Sequence, residues 1–209
     1  GGAALLASSD YVTPAGWRSS AAVMRADVMA PGMHGIAFNP LVTASGLAAH
    51  EARARNEGTR GYKIFPAGQR LIYSPIQYIE PREGNNLRAL GYDPFSEPVR
   101  RAAMEQARDT GRPTLSGKLR LIQEIDDNAP PGVIMYFPVY RRSDALDTIV
   151  QRRTALIGWT SSPYRLADLM RQILRGHGHS DGPEVAVHIY DGAEADPGQL
   201  LFSNGTTSP

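Results

Sequence analysis

Backbone punctuation constrains this chain more than any other feature. Its 209 residues include 21 glycines and 16 prolines, distributed along the whole length. Proline fixes φ and removes a backbone donor, and glycine weakens the interior of helices and strands, so long uninterrupted elements are excluded. Even the longest apolar run, Val133 to Val139, is broken by Pro138. A membrane-spanning helix needs about 20 apolar residues, and no stretch comes near it. The pattern predicts many short elements joined by tight turns.

Nothing covalent holds those elements together. The chain has no cysteine, which removes disulfides, zinc–thiolate sites and a thiol nucleophile. Stability must come from a hydrophobic core, and 42% hydrophobic with 21% charged residues is an ordinary composition for one. Disorder, coiled coil and collagen are excluded. The length fits one large domain or two small ones. A net charge of +1 gives no global basic field, so a nucleic-acid partner is not expected. The chain opens on Gly1-Gly2 without Met and stops at Thr207-Ser208-Pro209, and so reads as a piece of a longer protein.

Residues 17–29 and 45–56 are helix-compatible, the first stopped by Pro31-Gly32 and the second by Gly58. Residues 62–65 and 71–78 flank Pro66-Ala67-Gly68 and predict a strand–turn–strand. Ser96-Glu97-Pro98 opens the clearest helix, with Ser96 as the expected cap and Gly111 after its end. Leu119, Leu121, Gln123 and Ile125 alternate with polar neighbours, predicting a strand that Pro130-Pro131-Gly132 turns into its partner, 133–140. Residues 141–153 are polar and read as a linker. Thr154–Thr160 is strand-like. A helix capped by Ser162-Pro163 follows, with Leu166, Leu169, Met170, Ile173 and Leu174 on one stripe. Two last strands, 185–190 and 199–202, flank Pro197-Gly198. This order suggests two α+β units, each an antiparallel sheet with helices on one face.

No catalytic constellation is visible, and no cofactor is expected. The motifs for phosphate, dinucleotide, zinc-hydrolase and serine-hydrolase chemistry are missing. His177-Gly178-His179 lacks the further ligands a metal needs and reads as a solvated loop; His50 and His188 read as structural imidazoles. Asp126-Asp127-Asn128 lacks the Gly and Glu of a calcium loop and reads as a turn. Arg100-Arg101 could bind an anion, but a solvated helix face is the plainer reading, and Arg152-Arg153 reads the same way. Residues 71–80, LIYSPIQYIE, stand out. As one strand they place Tyr73, Pro75, Gln77 and Ile79 on one face and Ser74, Ile76, Tyr78 and Glu80 on the other. Tyrosines, a Gln and a terminal Glu can line an apolar cleft with a few polar anchors, though cross-strand core pairs would look the same.

Tyr73-Ser74-Pro75-Ile76-Gln77-Tyr78-Ile79-Glu80-Pro81, then Asn85 and Gly91-Tyr92-Asp93, begin a longer pattern. It continues through Pro98-Val99-Arg100-Arg101-Ala102-Ala103-Met104-Glu105, Ala107-Arg108-Asp109-Thr110-Gly111 and Leu121-Ile122-Gln123-Glu124. Gly132 to Tyr140, Gly158-Trp159 and Tyr190-Asp191-Gly192 complete it, with Pro31-Gly32-Met33-His34-Gly35 ahead. In this order, over residues 30–205, the chain resembles the CHASE domain, the extracellular sensory module of histidine kinases and cyclases.

The resemblance implies an N-terminal helical stalk over residues 1–44, a membrane-distal PAS-like ligand-binding module over 45–143 and a membrane-proximal PAS-like module over 144–209. It also implies a periplasmic or extracellular place in an inner-membrane protein, a homodimer, and a histidine kinase or cyclic-di-GMP enzyme as output. Together with the 71–80 pattern it places a small-molecule site at Tyr73, Pro75, Tyr78, Glu80, Leu115, Ser116 and Tyr136. In the cytokinin receptors of this family an Asp reads the adenine-type base; here that position falls on Pro81, with Glu80 adjacent, so Glu80 is expected to point into the cleft. A hydroxyl that helps hold the ligand tail is kept at Ser116. The ligand is thus an unknown small molecule, adenine- or cytokinin-like compounds among the candidates. The alternative is a dimerisation or protein-interaction module that answers to a partner protein.

Overall fold

The computed structural model describes residues 11–28, 32–126, 129–142, 144–176 and 186–205. The His177-Gly178-His179 loop, Asp127, Asn128, Pro31 and Val185 lie outside the described residues. Among the described residues the chain's first elements are helix α1 (Pro14–Val28), strands β1 (Ile36–Pro40) and β2 (Val42–Thr43), and helix α2 (Leu47–Asn56). Strands β3 (Ile72–Tyr73) and β4 (Tyr78–Glu80), helix α3 (Pro98–Thr110), and strands β5 (Thr114–Leu115) and β6 (Gly132–Tyr140) follow. Helix α4 (Ile149–Ala155), strand β7 (Leu156–Arg165), helix α5 (Leu166–Gly176), and strands β8 (His188–Tyr190) and β9 (Leu200–Ser203) complete it.

The architecture is α+β. Five strands form one antiparallel sheet in the order β4-β1-β7-β6-β5, and β2-β3 and β8-β9 are separate two-stranded pairs. Alternation along the central strands feeds two covered faces. On one, Ile36 and Phe38 of β1, Val133 and Val139 of β6, and Ile157 and Tyr164 of β7 join Trp17, Ala21 and Met24 of α1, Leu166 of α5 and Phe202 of β9. The Tyr78 ring packs against both Trp17 and Phe38, at 6.1 and 6.4 Å, and those two rings also touch each other at 6.2 Å. On the other face Tyr136, Tyr140, Leu156 and Trp159 pack under Ala103, Met104 and Ala107 of α3. Burying a side chain such as Met104 contributes about 1.5–3 kcal/mol, and Trp159 Nε1 donates to the Met104 carbonyl at 2.9 Å.

Helix α3 ends where expected, on Gly111 at φ 71°, but starts differently. Glu97, not Ser96, is the cap: its carboxylate accepts from the Val99 and Arg100 amides at 2.9 and 3.0 Å. The Ser96 hydroxyl donates backward to the Asp93 carbonyl at 2.6 Å. The polar stretch 141–153 read as a linker holds the start of α4, which runs on to Ala155, because Thr148 and Gln151 form a reciprocal capping box. Arg152 and Arg153 then dock this helix on α3 through Asp109, at 2.7 Å to its carbonyl and 2.6 Å to its carboxylate.

Three strand expectations are corrected. Residues 62–65 and 71–78 do not pair with each other: Phe65 bridges to Tyr92, and β3 pairs with β2. The partners of β6 are β7 along its length and β5 at Tyr136 and Met135; from the predicted 119–125 strand a single bridge, Leu119 to Gly132, is made to it. Ser162 and Pro163 do not cap a helix, because β7 runs on through them, pairing with Met135 and Ile134, and α5 begins directly at Leu166. Strand β7, expected in the second unit, lies between β1 and β6. His188 is exposed rather than buried, whereas His50 is buried and lies 3.2 Å from the Tyr62 hydroxyl.

Candidate functional site

Alternation in β1 sends Ala37 and Asn39 to the face opposite Phe38. There they meet Ile79 of β4, Ser161 and Pro163 of β7, and Ile134 and Tyr136 of β6, with Ile76, Tyr92, Pro94, Arg100, Ile122 and Gln123 closing over them. The enclosed cleft has about 20 Å³ of free space, the scale of about one water.

Its walls are apolar except for a few placed groups. Asn39 is fully buried and its Oδ1 accepts from Ser161 Oγ at 2.8 Å. Asn39 Nδ2 has no hydrogen-bond partner among the described residues, and neither has the hydroxyl of Tyr136, which is 1% exposed. A buried polar group left unpaired costs about 1–3 kcal/mol, so two on residues lining one space is a costly arrangement for a purely structural core. Burial holds the Tyr136 phenol above its ordinary range, hence protonated. Arg100 is buried on α3: one nitrogen pairs with Glu97 at 3.2 Å, another donates to the Arg120 carbonyl at 2.6 Å, and the guanidinium lies 5.3 Å over the Tyr92 ring. A third unpaired group, Trp17 Nε1, lies with α1 on the opposite face.

Behind the cleft's rim, Asp93 has no exposed surface and pins two loops together. It accepts from the Ser74 and Phe95 amides at 2.8 and 3.1 Å and pairs with Arg70 at 3.0 Å. Burial raises its carboxyl, and the Ser74 amide and Arg70 oppose that rise.

The structure disperses the seven residues expected at the site. Tyr136 lines the cleft. Tyr73 sits in a separate core with Val42, Ala54, Tyr62 and Ile64, and its hydroxyl donates to the Gly68 carbonyl at 2.8 Å. Pro75 is fully buried and is not part of the cleft lining. Residues 74–77 break the expected strand in two, so Tyr78 and Glu80 face α1 and a second depression beside Trp17, Glu57 and Arg82, while Ile79 enters the cleft. The Glu80 carboxylate therefore does not point into the cleft with Tyr136. Leu115 is exposed at the sheet edge. Ser116 Oγ donates to the Gly117 carbonyl and accepts from the Ile134 amide, both at 2.9 Å, which ties β5 to the cleft wall.

Around that second depression the polar groups satisfy one another. Tyr78 Oη lies 3.0 Å from the Val12 carbonyl and 3.1 Å from Glu57, accepts from Gln77 at 2.9 Å, and neighbours a Tyr11–Glu57 hydrogen bond. A larger hollow of about 260 Å³ opens between β1 and α2, rimmed by Tyr11, the first described residue. Its His50 is held down to about 4 by burial first, and is paired with Tyr62.

The CHASE domain family model matches residues 10–202. The chain belongs to the CHASE domain family. CHASE domains are extracellular sensory domains, so this domain has a sensor role. Over 141 residues it is 25% identical to a hybrid signal transduction histidine kinase A of Dictyostelium discoideum, covering 66% of this chain and 6% of that protein. The match is therefore to a small part of a much longer signalling protein. Among the described residues no helix is long and apolar enough to cross a membrane.

Proposed function

We propose that this CHASE domain binds a small molecule in the cleft between α3 and the five-stranded sheet and passes the signal to the β8–β9 pair. One observation carries the reading: Asn39 and Tyr136, which line the same cleft, each carry a buried polar atom with no partner among the described residues. Tyr136 is kept from the expected site, and Asn39, Arg100, Gln123 and Ser161 join it. The antiparallel sheet with a helix across its cleft face supports a PAS-like ligand-binding module. The stalk expected over 1–44 and the distal–proximal division near residue 143 remain part of the proposal, except that β1 and β2 from the first segment and β7 from the last are contributed to the distal module.

A mechanical path leads out of the cleft. Ile134 lines it and exchanges two backbone-amide contacts with Ser116; the adjoining Lys118 amide donates to Asp191 at 2.6 Å, and Lys118 Nζ donates to the Gly198 carbonyl at 2.9 Å. A ligand that spreads the cleft would pull on this chain of contacts and bias a two-state output. In the whole protein we place the domain in the periplasm of an inner-membrane homodimer with a histidine kinase or cyclic-di-GMP enzyme beyond the membrane. The cleft's small volume is what favours the alternative, a dimerisation module with a filled core.

Native mass spectrometry of the domain after incubation with a metabolite extract separates the two. A retained small molecule, weakened by Tyr136→Phe and lost in Ile134→Phe, which enlarges a half-buried wall side chain, supports the sensor. A molecule whose retention neither variant alters, or no adduct at all, overturns it.

A further inference from the structure

We infer that the molecule this cleft selects is a small carboxylate; the inference rests on the cleft being the sensor's pocket and adds the chemistry it reads. Three residues that line the space carry donors: Asn39 its amide nitrogen and Tyr136 its hydroxyl, both unpartnered among the described residues, and Arg100 its guanidinium. Ser161 donates to Asn39 Oδ1, so the nitrogen, not the oxygen, of that amide is left over. The Tyr136 phenol is protonated at neutral pH and can donate, and burial raises it further. A guanidinium has five N–H groups, and bonds to Glu97 and the Arg120 carbonyl engage two of them. Among the described residues no Asp or Glu lines the cleft. An amine entering here would meet donors and a cation, with no acceptor of opposite charge.

A carboxylate answers each of these groups. Its two oxygens offer several lone pairs, enough for a charge-assisted bond from Arg100 and ordinary bonds from Asn39 and Tyr136. Ile76, Ile79, Ile122 and Ile134 give the wall an aliphatic part that suits a short hydrocarbon tail, beside the polar Gln123 and Ser161. Free space of about 20 Å³ holds about one water, so even a short carboxylate enters only as the turn at Ile122 and Gln123 moves aside. The Glu80 carboxylate, expected in the cleft, faces the second depression instead, so the donors of Asn39, Tyr136 and Arg100 set the cleft's chemistry.

The test uses thermal shift and calorimetry with sodium acetate, propionate and butyrate, against propionamide, propylamine and sodium chloride. Carboxylates are expected to raise the melting temperature saturably, as a ligand binding only the folded state must, while the amide, the amine and the salt do not. Tyr136→Phe should weaken propionate binding several-fold, up to about tenfold for one lost hydrogen bond. Asn39→Asp, of the same shape but with an acceptor for a donor, should abolish it. Should Asn39→Asp fold poorly, Tyr136→Phe decides alone. Binding of propionamide or propylamine that is sensitive to Tyr136→Phe, without carboxylate binding, overturns the carboxylate and leaves the pocket standing. If no probe's binding responds to either substitution, pocket and carboxylate both fall.

Discussion

Arg165, the last residue of β7, grips Glu124 through two parallel hydrogen bonds, Nε to Oε1 at 2.5 Å and Nη2 to Oε2 at 2.7 Å. Glu124 is 8% exposed and follows Gln123, which lines the cleft, so this fork holds the covering turn against the sheet. The Arg165 hydrogen bond holds the Glu124 carboxyl below the usual carboxylate range, against the opposing effect of burial. A depressed folded-state value means the pair stabilises fully above the unfolded Glu pKa of about 4.3 and loses that contribution as pH falls through the lower folded value. Glu124→Gln keeps the shape and removes the charge. The stability gap between wild type and variant, from urea midpoints, should be largest near neutral pH and shrink below about pH 4. A gap that stays constant on acidification would show that the charge is not what matters.

Tyr136→Phe separates the cost of the cleft from its use. The ring packs with Phe95, Met104 and Trp159, and phenylalanine keeps that packing. The hydroxyl has no partner among the described residues, so deleting it relieves a penalty of about 1–3 kcal/mol. The ligand-free variant should unfold at higher urea than wild type while binding ligand less well. Destabilisation by more than about 1 kcal/mol would mean the hydroxyl is bonded in the folded protein.

Much of this was readable from residues alone, and the failures have physical causes. The capping signals Pro98 and Gly111 located α3, and the apolar stripe from Leu166 located α5. Arg100 was readable too: it lies at i−3, i−4 and i−7 from Ala103, Met104 and Ala107, the buried stripe of α3, yet pairing it with the exposed Arg101 disguised it as surface charge. Asn39 and Ser161 gave no local signal, because their meeting requires β1 to pair with β7 across more than half the chain. The 71–80 run misled because alternation assumes one unbroken strand. Here Ser74 and Gln77 are buried in the irregular link between two different sheets, which puts Tyr73 and Tyr78 in separate cores.

Gly91 and Gly58 offer a controlled pair for backbone strain. Both have positive φ, 86° and 98°. A Cβ at Gly91 would stand 2.2 Å from the Lys63 carbonyl oxygen, whereas one at Gly58 meets nothing within 4 Å. Gly58→Ala should therefore cost only the left-handed penalty of about 1–2 kcal/mol. Gly91→Ala adds a clash with backbone that cannot swing away, and it also strains the bridge between Phe65 and Tyr92 at the cleft rim. The second variant should be clearly less stable than the first in matched urea titrations. Equal losses would show that the 63–65 segment yields freely.

The joint between the cleft sheet and the β8–β9 pair should open when Asp191 is removed. Its carboxylate accepts from the Lys118 amide, and Gly117 makes the approach possible, since a Cβ there would lie 2.9 Å from Asp191 Oδ2. A hydrogen bond to a charged group contributes about 1.5–3 kcal/mol, and solvent access at this half-exposed site puts the expected value at the low end. Asp191→Ala should therefore cost little global stability but speed hydrogen exchange at Lys118 and along Leu200–Ser203. Asp191→Asn, which keeps one acceptor oxygen, should preserve most of the protection. Exchange that accelerates equally across α3 and β6 would mean the substitution loosens the whole sheet, and the contact would then be part of the core rather than a joint.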